Sequence, residues 1–274
     1  MENNFTLNKC GKIQYLQCYS KIFNKFTKHA FSTRYGGASK NAYTSLNLSL
    51  NVGDINEVVL DNRSRFFYPF NINYKKAVCV EQVHEDKIAV ISKADSGKGA
   101  LSFNHCILGK DSMITNIPNI PLLMFYADCV PVMLLDPVKK AIGLVHAGRK
   151  GTFLNISTKT LLKMKEVYGT NPADCLAAIF PAIGPCCYQF KNPEVIKNWL
   201  ANKYIKQKIV QIGKNHSVKI DLKKANLLQL KETGIQRKNI FMNVNCTEDH
   251  SEIYFSHHRD HGKTGRMAAL LMLK

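Results

Sequence analysis

Apolar positions in this chain come in short runs rather than in one long helical period. Five runs read as strands: KAVCVEQV (76–83), KIAVIS (87–92), PLLMFYA (121–127), VPVMLLD (130–136) and AIGLVH (141–146). Each is bounded by turn residues or charges. Helical spacing takes over between and after them. One helix is predicted from about Thr152 to Tyr168, stopped by Gly169, a residue suited to the left-handed position that ends a helix. A second opens with Asn192 as N-cap and Pro193 at the first helical position. A third starts at Asp221 and runs through LKKANLLQLKET to Gly234. Strands in series with helices interspersed later predict an α+β fold, a large mixed β-sheet arrangement flanked by helices. Neither a repeat nor a low-complexity linker divides the sequence, so residues 1–274 are read as a single domain.

Composition changes this picture little. The chain is 45% hydrophobic and 21% charged, ordinary for a globular protein. Runs such as PVMLL and MAALLML are too short to cross a bilayer, and the amino terminus has no continuous apolar stretch of a signal peptide. A soluble, cytoplasmic protein with no membrane partner is expected. The formal charge of +18 is spread over scattered lysines, with doublets such as Lys75-Lys76 and Lys139-Lys140 as the longest runs. A nucleic-acid reader would gather them on one face, so no specific nucleic-acid partner is expected. The field favours anionic small molecules instead. Nine cysteines without any CxxC pair fit a reducing compartment. Apart from Cys129 they are read as reduced, packed thiols, the neighbours Cys186 and Cys187 included.

Candidate chemistry enters at a hairpin. VPVMLLD and AIGLVH are joined by a short turn that Asp136-Pro137 initiates. A turn centred between Pro137 and Val138 sets Cys129 opposite His146, where Cβ atoms stand roughly 4.5–5.5 Å apart. That separation suits two ligands of one ion, or a thiolate and its imidazole partner. His84 supplies a third polar group where a strand-like run ends. Two imidazoles and a thiolate leave a tetrahedral Zn²⁺ with an open fourth position, the pattern of catalytic rather than structural zinc. HAGRKG then leads into the helix predicted from Thr152. The positive end of that helix, with Arg149 and Lys150, forms a candidate anion site.

With QVH, ADC and HAG in this order, the chain resembles the YfiH-type, laccase-domain family of purine nucleoside phosphorylases. The segments FSTRYGGAS, SLNLSLNVGD, GKDSMITN, YADCVPVMLLDP, AIGPCCY and FSHHRDHGKTGRMAAL carry the resemblance over nearly the whole length. It implies an αββα fold with metal ligands at His84, Cys129 and His146. It also implies phosphorolysis of adenosine, inosine, guanosine or methylthioadenosine to purine and ribose-1-phosphate, with adenosine deamination as a second activity. Purine nucleosides and phosphate are thus the expected partners, with Arg34 orienting phosphate and Asn47 touching phosphate or ribose. Two departures bear on this. The family's usual HAGWRG is HAGRKG here, and its FSxRR is FSHHRD, with His258 in an arginine position. Lysine lacks the planar fork with which arginine grips phosphate.

Three rival readings remain. Cys129 with His146 or His84 is also a nucleophile–base pair for an amidohydrolase, such as one editing peptidoglycan precursors. Copper polyphenol oxidation is the weaker alternative, because multicopper sites need many paired histidines. Of nine histidines, only His257, His258 and His261 cluster in sequence. RNA binding would need a stacking platform that is not evident.

Overall fold

The computed structural model describes residues 4–191, 197, 199, 207–212 and 217–274. Elements are numbered in chain order. A five-stranded antiparallel sheet combines β1 (Phe5–Cys10), β2 (Ile13–Cys18), β3 (Thr27–Ser32), β14 (Met267–Leu273) and β6 (Leu122–Tyr126), in that spatial order. A six-stranded mixed sheet runs β13 (Ile240–Met242), β9 (Leu176–Ile179), β7 (Val130–Asp136), β8 (Ala141–Ala147), β5 (Ser112–Thr115) and β4 (Ile88–Val90). Its outer pairs are parallel and the rest antiparallel. A small antiparallel sheet joins β10 (Gln189–Phe190), β12 (Val218–Ile220) and β11 (Val210–Ile212).

Alternation along the strands stacks these sheets. Met133 and Leu135 of β7 and Ile142 and Leu144 of β8 meet Met124 of β6 and Ala269 and Leu271 of β14 in a core between the two large sheets. The opposite side chains of the same strands, Val130, Val132, Leu134 and Val145, pack with α4 (Ile156–Tyr168) and α5 (Leu222–Glu232). The outer face of the five-stranded sheet, through Leu123, Ala268 and Leu270, lies on Phe66 and Phe67 of α2 (Asn56–Phe67), the helix that follows the short α1 (Lys21–Phe26) in the chain. The layering is therefore αββα. Strands covered on both faces must be apolar at every position, which is why VPVMLLD and MAALLML read as continuous runs. Gly143 lets α4 sit close, since a Cβ there would be 3.2 Å from the Met164 sulfur and 3.3 Å from Thr160 Cγ2.

Several expectations are corrected. KAVCVEQV forms no ladder: Val78 bridges Leu122 and Val80 bridges Ile107, so its backbone is shared between different segments. In the hairpin His146 faces Pro131, not Cys129, a register two residues from the expected one. The cause is the turn, where Asp136 Oδ1 accepts from the backbone N–H of both Val138 and Lys139 at 2.9 Å. The helix predicted from Thr152 is two pieces, α3 (Arg149–Phe153) and α4, broken at Asn155 with φ 61°. Gly169 ends α4 in the left-handed conformation as expected, and Asp221 caps α5 by accepting from the Lys224 N–H. The helix predicted from Asn192 lies outside the described residues except at positions 197 and 199, both helical. Among those described, no helix is long and apolar enough to cross a membrane.

Candidate metal centre

Three chain segments converge beyond the ends of β7 and β8. His146 is the penultimate residue of β8, Cys129 immediately precedes β7, and His84 sits in the turn before β4. One ligand atom from each lies within 4.8 Å of the others. His146 is buried, Cys129 half-buried and His84 exposed, so the cluster opens on the His84 side. Since the hairpin register does not oppose Cys129 and His146, the thiol is delivered differently. Asp128 takes a left-handed conformation, φ 83°, just before Cys129, and His84 does so at φ 62°. Such conformations are uncommon outside glycine and persist where surrounding contacts enforce them.

Those contacts come from two buried aspartates. The Asp111 carboxylate accepts from the backbone N–H of Val83, His84 and Glu85 at 3.2, 2.9 and 2.7 Å, which shapes the His84 turn. It also lies 2.8 Å from His146 Nδ1. With Nδ1–H donating to the carboxylate, Nε2 is left to the cluster, the usual way a ligating histidine is oriented. Asp128 accepts from the Thr247 and Ser256 hydroxyls at 2.6 and 3.0 Å and from the His258 N–H at 2.7 Å. Its carboxylate ties the loop after β13 to the Cys129 turn. Gly148 completes the cradle. A Cβ there would stand 3.0 Å from the His84 ring and 3.1 Å from the Cys129 sulfur.

Burial alone would raise the Cys129 thiol, but the adjoining His146 and His84 imidazoles outweigh it and hold the thiol well below its ordinary range. Burial likewise opposes charge on His146, and the Cys129 thiolate with Asp111 reverses that and raises it. The protein is thus arranged to keep a thiolate at this point, and a metal ligand requires that form.

The cluster lines a cavity of about 640 Å³, within the range of small-molecule sites. Phe103, Phe125, Tyr188 and Phe190 line its wall together with Gln82, Arg149, His257 and Arg266. The Arg149 guanidinium stacks over Phe190, 5.1 Å from the ring centre.

The family model described as multi-copper polyphenol oxidoreductase laccase matches residues 28–274. The chain belongs to this family. It is 33% identical over 259 residues to the purine nucleoside phosphorylase YlmD of Bacillus subtilis (strain 168), covering 92% of this chain and 90% of that protein. Against the YlmD phosphorylase of Geobacillus stearothermophilus it is 35% identical over 251 residues, 88% of each. The crystal structure of the hypothetical protein YfiH of Bacillus licheniformis superposes with a TM-score of 0.92 at 34% identity, over 99% of this chain and 100% of that one.

Of the family positions anticipated from sequence, His84, Cys129, His146, Arg149 and Lys150 line the cavity, and two others do not. Arg34 donates to the carbonyls of Thr44 and Ser251, stacks on Phe255, and borders a separate cavity of about 230 Å³. Asn47 is buried and bonded to Ser49, Asp54 and the Arg266 N–H, so it supports the Arg266 backbone. Lys150 lines the cavity but pairs with Glu85. The helix end expected behind HAGRKG belongs to the five-residue α3 rather than to the long α4, so only a single helical turn backs it. Asp111, Tyr188 and Arg266 were not singled out from sequence. Asp111 stands in the GKDSMITN segment, but its role is not local, since its partner ring is 35 residues away.

The donor set fits a metal. Two imidazoles and one thiolate match an open zinc site, and among the described residues no other cluster of metal-binding type contains a histidine.

Proposed function

We propose that this protein is a zinc-dependent purine nucleoside phosphorylase, converting purine nucleoside and phosphate to free purine and ribose-1-phosphate. The observation that carries the reading is the His84–Cys129–His146 cluster set in the wall of a cavity that is lined by aromatic side chains and by Arg149 and Arg266. The names of the YlmD relatives support it. A zinc ion held by these three residues supplies a Lewis acid beside the reactants.

The chain's own groups do the remaining work. Phe103, Phe125, Tyr188 and Phe190 give a purine flat surfaces to lie against. Arg149 and Arg266 present cations to phosphate, and Arg149 is preset by its stack on Phe190. As the C1′–N9 bond breaks and the C1′–O bond to phosphate forms, positive charge builds on the ribose. Fixed charges and dipoles that need no rearrangement lower the cost of that step. Adenosine deamination at the same site is the proposed second activity. We place the protein in the cytoplasm and read residues 1–274 as one domain.

A second reading, an amidohydrolase with Cys129 as nucleophile, is favoured by its depressed thiol pKa beside His146. One experiment separates the two. Zinc-loaded protein is incubated with a nucleoside mixture, with and without phosphate, and products are resolved by chromatography. Phosphorolysis gives purine release that requires phosphate, stops with a chelator and returns with zinc. Absence of phosphate-dependent release refutes it, and chelator-resistant amide hydrolysis would establish the alternative.

A further inference from the structure

Three cysteines distant from the hairpin meet at one point. Cys186 and Cys187 lie in the loop between β9 and β10, and Cys246 and Asp249 in the loop after β13. Their ligand atoms lie within 4.8 Å of one another. Asp249 accepts from the Cys186 thiol through Oδ2 and from the Cys187 thiol through Oδ1, each at 2.9 Å. The Gly184 N–H donates to the Cys246 sulfur at 3.1 Å. A Cβ on Gly184 would be 3.0 Å from the Cys186 sulfur and 3.5 Å from that of Cys246, so the loop keeps this space open. Tetrahedral zinc–sulfur geometry needs ligand atoms ~3.8 Å apart. Atoms already within 4.8 Å reach that by small side-chain rotations.

We propose that Cys186, Cys187, Cys246 and Asp249 form a second, closed metal site for a soft divalent ion of the zinc class. Three thiolates and a carboxylate complete four-coordination without an open position, the pattern of a structural site. Binding releases the thiol protons to solvent. The role follows from what the two loops carry. Tyr188, next to Cys187, lines the cavity, and the Ile183 N–H donates to the Asp128 carbonyl at 3.0 Å. On the other loop, Thr247 follows Cys246 and its hydroxyl donates to Asp128. The backbones of Ala182 and Cys246 already form a bridge. An ion here clamps one wall of the cavity onto the turn that presents Cys129. This inference does not depend on the phosphorolysis reading.

The test uses Co²⁺, whose thiolate charge-transfer absorption reports sulfur ligation. The full chain carrying His84→Ala and Cys129→Ala, with the first cluster removed, is expected to bind one Co²⁺ with strong near-ultraviolet charge transfer. Adding Cys186→Ser, Cys187→Ser and Cys246→Ser is expected to abolish that absorption. Failure of the double variant to develop the absorption overturns the proposal, as does its survival in the serine variant. A measurement on the unmutated protein guards against misfolding. Exposed Cys186 is alkylated and read by mass spectrometry, and saturating Zn²⁺ is expected to slow its labelling about tenfold, because a coordinated thiolate is withdrawn from reaction. Equal labelling rates with and without zinc also overturn it.

Discussion

Replacing Asp111 by Asn tests the source of the cluster's order. The carboxylate is fully buried. Oδ1 serves the His84 N–H and the His146 ring, and Oδ2 serves the Val83 and Glu85 N–H groups. An amide nitrogen cannot accept, so either orientation of Asn faces two donors with a third. Two hydrogen bonds to a charged acceptor are lost, at roughly 1.5 kcal/mol or more each, so the metal-free protein should lose about 3 kcal/mol of stability. Loss of a histidine's outer partner typically weakens metal binding 10–100-fold, about 1.4–2.8 kcal/mol. Chemical denaturation of the metal-free form gives the first quantity and competition with a chromophoric zinc chelator the second. If Asp111→Asn keeps zinc affinity within twofold of the parent, the carboxylate does not order the ligands and the reasoning is wrong.

Other outcomes follow from the same geometry. Gly148→Ala places a methyl 3.0–3.1 Å from His84 and Cys129 and should weaken zinc binding by about tenfold with little effect on the fold, read by the same competition assay. Arg149→Ala removes the cation stacked on Phe190 and should raise the KM for phosphate by about tenfold, the worth of one charge-assisted contact, with a smaller change in the KM for nucleoside. His29 is buried in β3, and burial pushes it down to about 4. It is neutral when folded and protonates more readily when unfolded, so its contribution is complete above about pH 6.5 and is lost as pH falls toward 4, roughly 3 kcal/mol in all. Urea unfolding at pH 7 and 4.5 should show His29→Gln losing much less stability over that interval than the parent; an equal loss in both proteins contradicts the assignment.

What could be read from sequence depended on how local each determinant is. β7 and β8 were legible because layers on both faces require apolar residues throughout. The α5 cap was legible because Asp221 and Lys224 are neighbours. KAVCVEQV looked equally strand-like, yet Val78 and Val80 bridge different segments, a choice made by tertiary structure. The hairpin shows both sides of this. It drew Cys129 and His146 together on a register that the turn does not adopt. The two residues meet because the left-handed turn at Asp128 displaces the thiol. Asp111 and the gathering of Cys186, Cys187, Cys246 and Asp249 stayed hidden because their partners are remote in sequence and no spacing motif announces them. Cys186, read from sequence as packed, is in fact exposed.

The most direct measurement follows phosphorus and purine together. Zinc-loaded protein, inosine and inorganic phosphate are monitored by ³¹P NMR while hypoxanthine is quantified in the same tube, beside a Cys129→Ala sample. A sugar-phosphate resonance should rise in step with hypoxanthine, mole for mole, and both should be absent from the variant. Base appearing without sugar phosphate, or undiminished turnover in Cys129→Ala, contradicts the account.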